Sequence, residues 1–535
     1  MRIAFYVFSF LGLALIVWFA PTNPWVWWLL ALVVPYIAIG VHDLNQKSRA
    51  LLRNYPVIGH GRYVMELVRP EIQQYFVESN LDGRPFHRNE RSIVYQRAKG
   101  VIETMPFGTQ NDVYESGYEW INHSLAPVEH LHEEPRVMVG EGRCAKPYSM
   151  SRFNISSMSY GSLSRRAVLA LNKGAKLGGF AHNTGEGGIA PAHLEHGGDI
   201  VYQIGTGYFG CRAPDGGFDL EKFRATAGHE TVRMIEVKLS QGAKPAHGGI
   251  LPAKKVTAEI AQIRGVPIGK QVDSPPRHRA FSTPSGLLDF IDLLRHESGG
   301  KPVGFKLCIG QPEEFVAIVK AMVLSGKFPD FITVDGGEGG TGAAPFEFSD
   351  SVGMPLRDGL AFVHNVLVGA GVRNRVVVIA SGKIITGFHM FRAMALGADA
   401  CNCARGMMFA LGCIQARRCN HNDCPVGVAT TDPRLDKAID VEDKGQRVDR
   451  YHRRTVHSFL EMLHAAGLSH PSEIRPEHVF RRVDPVRCMR YSDLYDWIAP
   501  GALTDNTAPV RWQMMWEGCY ADKFLPSFET LRNAG

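Results

Sequence analysis

Short apolar segments alternate with helical patterns from about residue 148 to residue 440, and this alternation limits the fold more than any other feature of the sequence. It is typical of parallel βα units. Strands are predicted at residues 153–157, 199–204, 234–239, 303–308, 331–334 and 376–380, and helices at 163–177, 287–296, 313–324, 360–368 and 388–396. We therefore predict an α/β fold, a (β/α)8 barrel of the TIM type. A doubly wound sheet is the alternative, but the first βα turn lacks a dinucleotide-binding fingerprint.

Two apolar segments free of charged residues, 3–20 and 25–41, precede this region. Each is just long enough to cross a bilayer, so they predict a transmembrane hairpin. Basic residues lie outside both ends of the hairpin, at Arg2 and at Lys47, Arg49, Arg53 and Arg62. The positive-inside rule then places the rest of the chain in the cytoplasm, on the inner (cytoplasmic) membrane. A cleaved signal peptide is the alternative, although no small-residue cleavage site follows the first segment.

The sequence divides into four predicted parts. They are the hairpin at 1–44, a linker and covering layer at 45–147, the barrel at 148–440 and a helical C-terminal extension at 441–535 that includes an amphipathic helix at 447–466. The formal net charge is only +6, with acidic and basic residues interspersed, which argues against a nucleic-acid partner. Ten cysteines without the spacing of a small disulfide-linked domain favour a reducing compartment.

Three of the cysteines, Cys413, Cys419 and Cys424, are separated by only five and four residues. Thiolates grouped in this way favour an iron–sulfur cluster, and three ligands suit a cluster that lacks one iron corner. Structural zinc usually shows paired Cys-x-x-Cys knuckles, so zinc with His421 as a fourth ligand is one alternative and buried thiols are another.

Glycine-rich loops follow several predicted strands. The loop Asp335-Gly-Gly-Glu-Gly-Gly-Thr-Gly follows one strand, and Ser381-Gly-Lys follows a later one and precedes a helix. Glycine lets backbone N–H groups approach a phosphate, and late loops of a TIM barrel are its usual phosphate site. Tight turns without a ligand are the alternative.

Charged side chains stand where a barrel strand normally carries apolar ones. Lys238 and Lys306 lie within predicted strands, and Lys244 and Arg264 follow, which suits an anionic ring or a carboxylate ligand. Solvent-exposed lysines at a strand edge are the alternative. Glu186, between glycines, is the best candidate for moving protons, although such a carboxylate can also serve a turn.

Seven segments together resemble the FMN-binding synthase domain of glutamate synthase, over about residues 150 to 435. They are Met158-Ser-Tyr-Gly-Ser-Leu-Ser, Asn183-Thr-Gly-Glu-Gly-Gly, Ile235-Glu-Val-Lys-Leu-Ser-Gln-Gly-Ala-Lys-Pro, Leu251-Pro-Ala-Lys-Lys-Val-Thr, Ser274-Pro-Pro-Arg-His, Gly339-Gly-Thr-Gly-Ala-Ala-Pro, and the run from Leu411-Gly-Cys to Cys424-Pro-Val-Gly-Val-Ala-Thr.

The resemblance implies a barrel that binds FMN beside a [3Fe-4S] cluster. It implies that Cys413, Cys419 and Cys424 hold the cluster, that Lys238, Lys244 and Arg264 lie near the 2-oxo acid, and that Glu186 lies where ammonia arrives. The FMN-contacting positions that it implies are Met158, Ser159, Lys306, Asp335, Gly339, Gly340, Thr341, Ser381 and Gly382.

The sequence also departs from this family. A glutaminase domain is replaced by the hairpin and about a hundred unrelated residues, so the chain is not expected to make ammonia from glutamine. Where the family reads Lys-Pro-Gly-Glu-Gly-Gly-Gln/Glu-Leu-Pro, this chain reads Lys244-Pro-Ala-His-Gly-Gly-Ile-Leu-Pro. His247 and Ile250 therefore replace polar or acidic groups at the substrate pocket, and such a change can alter specificity by orders of magnitude.

The expected function is that of a membrane-anchored FMN and iron–sulfur oxidoreductase that reductively aminates 2-oxoglutarate or a related 2-oxo acid. The expected electron donor is a ferredoxin or a reductase subunit. The alternatives are an amine or amino-acid dehydrogenase, an aminotransfer enzyme with another substrate, and a non-catalytic electron-transfer protein. An α-hydroxy-acid oxidase of the same barrel type fits the FMN loops but leaves the cysteines unexplained.

Overall fold

A computed structural model describes residues 1–129 and 133–525 of the chain. The chain forms two compact units, Met1–Arg88 and Asn89–Gly535, which are described separately below. The strands in chain order are β1 Glu119–Ile121, β2 Val137–Val139, β3 Tyr148–Met150, β4 Phe153–Ile155, β5 His182–Asn183, β6 Ile200–Ile204, β7 Val232–Lys238, β8 Ile250–Leu251, β9 Val272–Asp273, β10 Val303–Leu307, β11 Phe331–Asp335, β12 Val377–Ser381, β13 Ala400–Cys403, β14 Val479–Arg482 and β15 Cys488–Arg490.

The α-helices in chain order are α1 Arg2–Phe19, α2 Leu30–Asn45, α3 Ala50–Asn54, α4 His60–Ile72, α5 Arg88–Lys99, α6 Arg165–Gly178, α7 Pro191–Leu194, α8 Leu220–Ala227, α9 Ala258–Arg264, α10 Pro284–Glu297, α11 Pro312–Ser325, α12 Phe346–Ser351, α13 Leu356–Gly369, α14 Gly387–Ala395, α15 Arg405–Leu411, α16 Pro433–Asp436, α17 Val441–Ala465, α18 Tyr491–Leu494 and α19 Val510–Gly518. Short 3₁₀ turns lie at Pro24–Leu29, Ala253–Lys255, Arg373–Arg375, Pro471–Glu473 and Pro476–His478, and a π turn at Gln73–Val77.

In the first unit, the two predicted apolar segments are helices that pack against each other in opposite directions. A Cβ atom on Gly12 would lie 3.6 Å from Val33, and Gly40 faces the ring of Phe5. The helix Arg2–Phe19 and the helical stretch Pro24–Asn45, which combines the 3₁₀ turn with α2, are long and apolar enough to cross a membrane, and few of their residues are buried. The hairpin is thus present as a pair of helices, and its insertion into a bilayer stays a prediction.

The second unit contains the predicted barrel. Eight parallel strands close in the order β10-β11-β12-β13-β4-β5-β6-β7, which confirms the (β/α)8 fold and shows that the doubly wound alternative was wrong. The six predicted strands are all present, with ends shifted by one or two residues. The sequence missed β5, which has only two residues, and β13, whose Cys and Asn residues lack the β-branched character typical of strands.

The N-terminal end of the barrel is closed by the β2–β3 hairpin. Its residues pack into one apolar cluster with the first residues of the barrel strands: Val139, Tyr148, Met150, Ala181, Val201, Met234, Phe331, Ile379 and Ala400. This end is therefore filled, and the opposite end, where the loops after the strands converge, is left for a ligand.

Halfway along the barrel interior, the buried Glu236 carboxylate is held by three neutral donors. It accepts hydrogen bonds from Asn183 Nδ2 at 2.8 Å, from Gln203 Nε2 at 2.6 Å and from Thr333 Oγ1 at 2.6 Å. These bonds join β5, β6, β7 and β11 and fix the height at which the side chains above them enter the site.

The C-terminal extension packs on the outside of the barrel. Its long helix α17 lies against α6, α14 and α15, and a Cβ atom on Gly174 of α6 would lie only 2.5 Å from Val448. The helix begins at Val441, after the N-cap Asp440, and so is longer than the predicted 447–466. The predicted linker also contains structure, because β1 pairs with β14 of the extension.

Candidate active site

A cleft of about 270 Å³ opens at the C-terminal end of the barrel, at the loops that follow β6 and β7. It is lined by Glu186, Thr206, Lys238, Leu239, Ser240, Ala246, His247, Gly248, Gly249 and Pro276. Active sites of TIM barrels lie at this end of the strands. The cleft therefore gathers two of the predicted catalytic residues, Glu186 and Lys238, together with the substituted His247.

Glu186 and Lys238 form an almost fully enclosed ion pair. Lys238 Nζ lies 2.8 Å from Glu186 Oε1 and also donates to Gln241 Oε1 at 2.5 Å. Two glycines leave no room beside the carboxylate. A Cβ atom on Gly205 would lie 2.6 Å from Glu186 Oε2, and one on Gly249 would overlap Glu186 Oε1. Glycine at these positions is what lets Glu186 reach the cleft.

The predicted residues Lys244 and Arg264 complete a group of three cations around Glu186. Arg264 donates from one terminal nitrogen to Tyr160 O at 2.9 Å, while its buried Nε has no hydrogen-bond partner in the described part of the chain. Lys244 is only 2% exposed, and among the described residues its ammonium group makes no hydrogen bond or ion pair. Two of the three cations thus keep bonding capacity for a ligand.

The pKa values at the site follow from burial and from this charge group. Burial alone would raise the pKa of Glu186, but Lys238, Lys244 and Arg264 outweigh burial and hold that pKa below its ordinary value. Burial lowers the pKa of Lys244 to about 8, although Glu186 opposes the change. Burial also lowers the pKa of Arg264 to about 10. Glu186 is therefore ionised at neutral pH, and Lys244 titrates closer to that pH than Arg264 does.

His278, the last residue of the Ser274-Pro-Pro-Arg-His motif, contacts the backbone of Lys238. Its Nε2 lies 2.9 Å from Lys238 O and its Nδ1 lies 3.1 Å from Tyr208 OH. Burial lowers the pKa of His278 to about 4, so the ring is neutral at pH 7. Nothing in the sequence singles out this residue, because its role depends on contacts made across the fold.

The second strand-borne lysine, Lys306, enters the barrel next to Lys238. Its Nζ donates to Ser157 Oγ at 2.9 Å and lies 3.3 Å from Asp335 Oδ2. The same Asp335 oxygen accepts from Gly242 N at 2.9 Å. Lys306 and Asp335, both predicted cofactor contacts, are therefore paired with each other, and Asp335 ties the loop that carries Lys244 to the glycine-rich loop after β11.

The loops after β11, β12 and β13 lie next to one another, since Gly340 lies beside Arg405 and Gly382 beside Gly336. Within the described residues, the backbone N–H groups of Gly340, Thr341 and Gly382 donate no hydrogen bond. Arg405, the first residue of α15, donates to Glu338 O at 3.0 Å and lies so close to Gly340 that a Cβ atom there would be 2.8 Å from its guanidinium. Free N–H groups beside an arginine at a helix N-terminus suit a phosphate. Arg405 was missed, because nothing in its local sequence indicates which loop it faces.

The other predicted cofactor positions lie at the same end of the barrel. Ser156 Oγ, at the end of β4, is 3.2 Å from Ser381 Oγ at the end of β12. The loop with Met158 and Ser159 packs directly on Gly185, where a Cβ atom would lie 2.5 Å from Ser159 N. The predicted FMN residues thus surround one opening. Glu186 and the cations that act on it lie on the side of this opening that β5, β6 and β7 form.

The three predicted ligand cysteines lie in one loop after α15. Burial raises the pKa of Cys413 to about 12, and the charges of Cys419 and Cys424 act in the same direction, so the three thiols influence one another. Gln415, Arg417 and Asn422, none of them glycine, take left-handed backbone conformations in this loop. In the described part of the chain, no group of three or more Cys, His, Asp or Glu side chains is placed to hold a metal ion.

Two contacts fix the cysteine loop against the rest of the site. Buried Lys255, from the Leu251-Pro-Ala-Lys-Lys motif, donates to Cys419 O at 2.9 Å and to Ala429 O at 3.3 Å. A Cβ atom on Gly342 would lie 3.0 Å from Cys419 Cβ, so the glycine-rich loop and the cysteine loop are in contact. The motif of Lys255 is one of the segments that carry the family resemblance, but nothing in the sequence indicates this contact.

Comparison with known proteins identifies the family. A profile described as "Conserved region in glutamate synthase" matches residues 116–469, which is most of the barrel unit. The chain belongs to this family. It is therefore an oxidoreductase of the class that acts on CH–NH₂ donors, and FMN is the cofactor that family membership supports.

Two curated relatives show how the similarity is distributed. The "glutamate synthase large subunit-like protein YerD" of Bacillus subtilis is 40% identical over 491 residues, which cover 84% of this chain and 93% of the relative. The "archaeal glutamate synthase [NADPH]" of Methanocaldococcus jannaschii is 36% identical over 322 residues, 60% of this chain and 60% of the relative. This chain thus spans less than two thirds of the archaeal enzyme's length.

Solved structures with similar folds are remote in sequence. A chimera of (S)-mandelate dehydrogenase is 12% identical, with a TM-score of 0.44, over 73% of this chain and 98% of that chain. Flavocytochrome b2 with sulfite bound is 10% identical, with a TM-score of 0.41, over 83% and 97% of the two chains.

Proposed function

We propose that this protein is a membrane-anchored FMN and [3Fe-4S] enzyme that reductively aminates a 2-oxo acid, 2-oxoglutarate or a relative, with ammonia that the chain does not generate. In the overall reaction the 2-oxo acid, one ammonium ion, two electrons and two protons give one amino acid and one water. The carbonyl carbon is reduced, its oxygen leaves as water, and nitrogen takes its place.

The observation that carries this proposal is the charge of the cleft. Lys238, which lines the cleft, and Lys244 and Arg264, which are not among its lining residues, all act on the Glu186 carboxylate, so three positive charges lie close to this one negative charge. The exposed Asp273 also acts on Lys244, but from the surface. Buried cations without partners are costly unless a ligand neutralises them. The two unbalanced positive charges match the two carboxylates of a dicarboxylic 2-oxo acid.

The chain's own residues then have distinct roles. Lys244 and Arg264 bind the substrate carboxylates with their unused N–H donors. Lys238 holds Glu186 in place, and the Glu186 carboxylate accepts and returns a proton as the incoming nitrogen adds to the carbonyl and water leaves. FMN, when bound, supplies the hydride that reduces the resulting imine.

FMN fits the loops at the top of the barrel. Arg405 with the N–H groups of Gly340, Thr341 and Gly382 would hold its phosphate, while Lys306, Ser381 and the Met158–Ser159 loop would face the rest of the cofactor. The substrate cleft adjoins this surface because Gly242 and Gly336 are packed backbone to backbone.

The substituted residues bear on the substrate's identity. His247 lines the cleft and packs edge-on against Phe348, with ring centroids 5.6 Å apart. His247 replaces the acidic group that the family carries there, which removes a negative charge from the cleft wall and changes the shape that the tail of a dicarboxylic 2-oxo acid meets.

We also propose that Cys413, Cys419 and Cys424 hold a [3Fe-4S] cluster, which would feed electrons into the site. Three thiols in one loop are the donor set that iron–sulfur clusters prefer. The contact between Gly342 and Cys419 supports a short path for electrons from the cysteine loop to the glycine-rich loop after β11.

The hairpin would place the catalytic unit at the cytoplasmic face of the inner membrane. Its two helices are long and apolar enough to span a bilayer, and basic residues lie beyond both ends. The electron donor would be a ferredoxin or a reductase subunit that approaches the cysteine loop.

The proposal is tested by reducing the purified full-length protein without oxygen and adding 2-oxoglutarate, or a monocarboxylic 2-oxo acid, with and without ammonium. Ammonium-dependent reoxidation of the flavin with formation of the amino acid is expected. Reoxidation that does not need ammonium, or none with any 2-oxo acid, would overturn the reductive amination. Electron paramagnetic resonance of the oxidised protein is expected to show a three-iron signal.

A further inference from the structure

In the first unit, polar contacts join the two outer ends of the apolar hairpin to one short segment. At the start of α1, Arg2 Nε donates to Arg53 O at 2.6 Å. At the end of α2, the Asp43 carboxylate accepts from Val57 N at 2.9 Å and lies 2.9 Å from His60 Nε2. Both ends of the hairpin therefore lie on the same side, and α4 begins at the point where they are tied.

Helix α4 carries an exposed apolar face. Because residues three and four apart share a side of a helix, its apolar residues form one broad stripe, which Glu71 interrupts near the C-terminal end of the helix. Leu67 is 72% exposed, and the whole stripe is uncovered in the structure: Val64, Met65, Leu67, Val68 and Ile72. With 13 residues the helix is about 20 Å long, which is too short to cross a hydrocarbon core of about 30 Å.

The π turn after α4 continues this surface. Phe76 is 84% exposed, and its neighbours Tyr75 and Val77 are also exposed. Tyrosine favours the boundary between headgroups and acyl chains, and phenylalanine is typical of the apolar face of helices that lie at this boundary.

The opposite face of α4 is charged. Arg62 and Glu66 form an ion pair at 2.8 Å, and Arg69 lies one turn further along. Basic residues outnumber acidic ones around the hairpin ends, with Lys47, Arg49, Arg53, Arg62 and Arg69 in this stretch. A helix with a broad apolar face, a basic polar face and a position at the end of a membrane hairpin has the properties of an interfacial helix.

We propose that residues 60–77 lie in the surface of the lipid leaflet from which both ends of the hairpin emerge. The apolar face of α4 and the side chain of Phe76 enter the acyl region, and Arg62 and Arg69 remain at anionic headgroups. The inference rests on the proposed membrane anchoring and adds to it a second, surface-parallel contact that fixes where the chain leaves the bilayer.

The test uses the full-length protein in liposomes with about a third anionic phospholipid, and a photo-crosslinking amino acid at one position at a time. Position 67 probes the apolar face of α4, position 66 is the matched control on its charged face, and position 32, exposed within α2, reports on the hairpin. Each labelled protein must keep the wild-type unfolding temperature. Phospholipid adducts are expected at positions 67 and 32, with at least tenfold less at position 66.

The outcomes separate the two proposals. Lipid adducts at position 32 but none at 67, or protein adducts at 67, would overturn the interfacial helix and leave the anchoring intact. Absence of lipid adducts at position 32 would overturn the anchoring and the interfacial helix with it. Equal lipid adducts at positions 66 and 67 would show that no defined face meets the bilayer, which also rejects the inference.

Discussion

Lys238 Nζ lies 2.8 Å from Glu186 Oε1 in the cleft, and Lys244 and Arg264 act on the same carboxylate. The pair joins the loop after β5 to the end of β7. Because Lys238 is held in turn by Gln241 and, through its backbone, by His278, the ammonium group stays in place and the carboxylate cannot leave it without giving up the ion pair. This rigidity suits a group that must give and take a proton at one defined position.

Replacement of this carboxylate should slow turnover without removing the cofactor. We expect Glu186→Gln to lower kcat for reductive amination by roughly 10²–10⁴-fold, the usual contribution of a positioned acid–base group. Flavin content should stay at the wild-type level. The control is Glu195→Gln, which alters a half-exposed glutamate outside the cleft. A Glu186→Gln enzyme with wild-type kcat would remove Glu186 from the mechanism.

The glycines that flank Glu186 give a second, purely steric prediction. A Cβ atom on Gly249 would overlap Glu186 Oε1, so Gly249→Ala must displace the carboxylate from Lys238. A misplacement of about 1 Å in a catalytic group can cost on the order of 100-fold in rate, and we expect a loss of that size in kcat. Gly310→Ala is the matched control, because its added Cβ meets no atom within 4 Å. Equal activity of the two variants would contradict the role of the glycine.

The cysteine loop can be tested apart from catalysis. Cys419→Ser should abolish the three-iron signal in electron paramagnetic resonance while the flavin absorbance remains, since the loops that would hold FMN belong to other strands. Cys488→Ser, at an exposed cysteine far along the chain, should change neither signal. If iron content and spectrum survive in Cys419→Ser, this thiol is not a ligand.

Acid stability should depend on a buried histidine of α17. His452 stacks on Phe180 at 3.9 Å between ring centroids and lies 2.9 Å from Ser151 Oγ. Burial, and then the charges of Arg136 and Arg453, lower its pKa to about 3. The unfolded chain therefore binds a proton below about pH 6.5 that the folded chain excludes, and stability is lost as the pH falls through that value.

Between pH 6.5 and pH 5 this loss amounts to about 2 kcal/mol for one such histidine. We expect His452→Gln to be less stable than the wild type at pH 7.5 but to lose about 2 kcal/mol less on acidification to pH 5. Urea unfolding at the two pH values measures the difference. His457→Gln, at an exposed histidine of the same helix, should show the wild-type pH dependence.

The sequence alone was enough to predict the barrel and to identify most of the charged residues of the site. Lys238 and Lys244 could be found because a charge within or next to a buried strand is unusual wherever it occurs, and Cys413, Cys419 and Cys424 because their spacing is local. The barrel could be predicted because six of its strands are apolar segments that can be recognised from their own short stretches of sequence.

What was missed depends on contacts between distant segments. Arg405 acquires its role only when the loop after β13 meets Gly340, and Lys255 only when its ammonium reaches Cys419 O. His278 is one of many histidines until the fold places it under Lys238. The two-residue strand β5 has no periodicity to detect, since its register is imposed by β4 and β6.

The charge state of Lys244 should control substrate binding at alkaline pH. Burial lowers the pKa of Lys244 to about 8, so the ammonium loses its proton in a range where Arg264 and ordinary lysines remain charged. If this ammonium holds a substrate carboxylate, the Kd of the 2-oxo acid should be constant below pH 8 and then rise about tenfold for each pH unit. The perturbation of the flavin spectrum by 2-oxoglutarate, without ammonium, measures that Kd.

Two substitutions separate this effect from other titrations. Lys244→Met should raise the Kd at least about tenfold at pH 7 and remove the rise above pH 8, because no charge remains to be lost. Lys244→Arg keeps a cation up to higher pH and should move the rise upward by at least about one pH unit. Lys254→Met, at an exposed lysine, should behave like the wild type. An unchanged alkaline rise in Lys244→Met would assign the titration to another group and leave Arg264 as the principal carboxylate-binding residue.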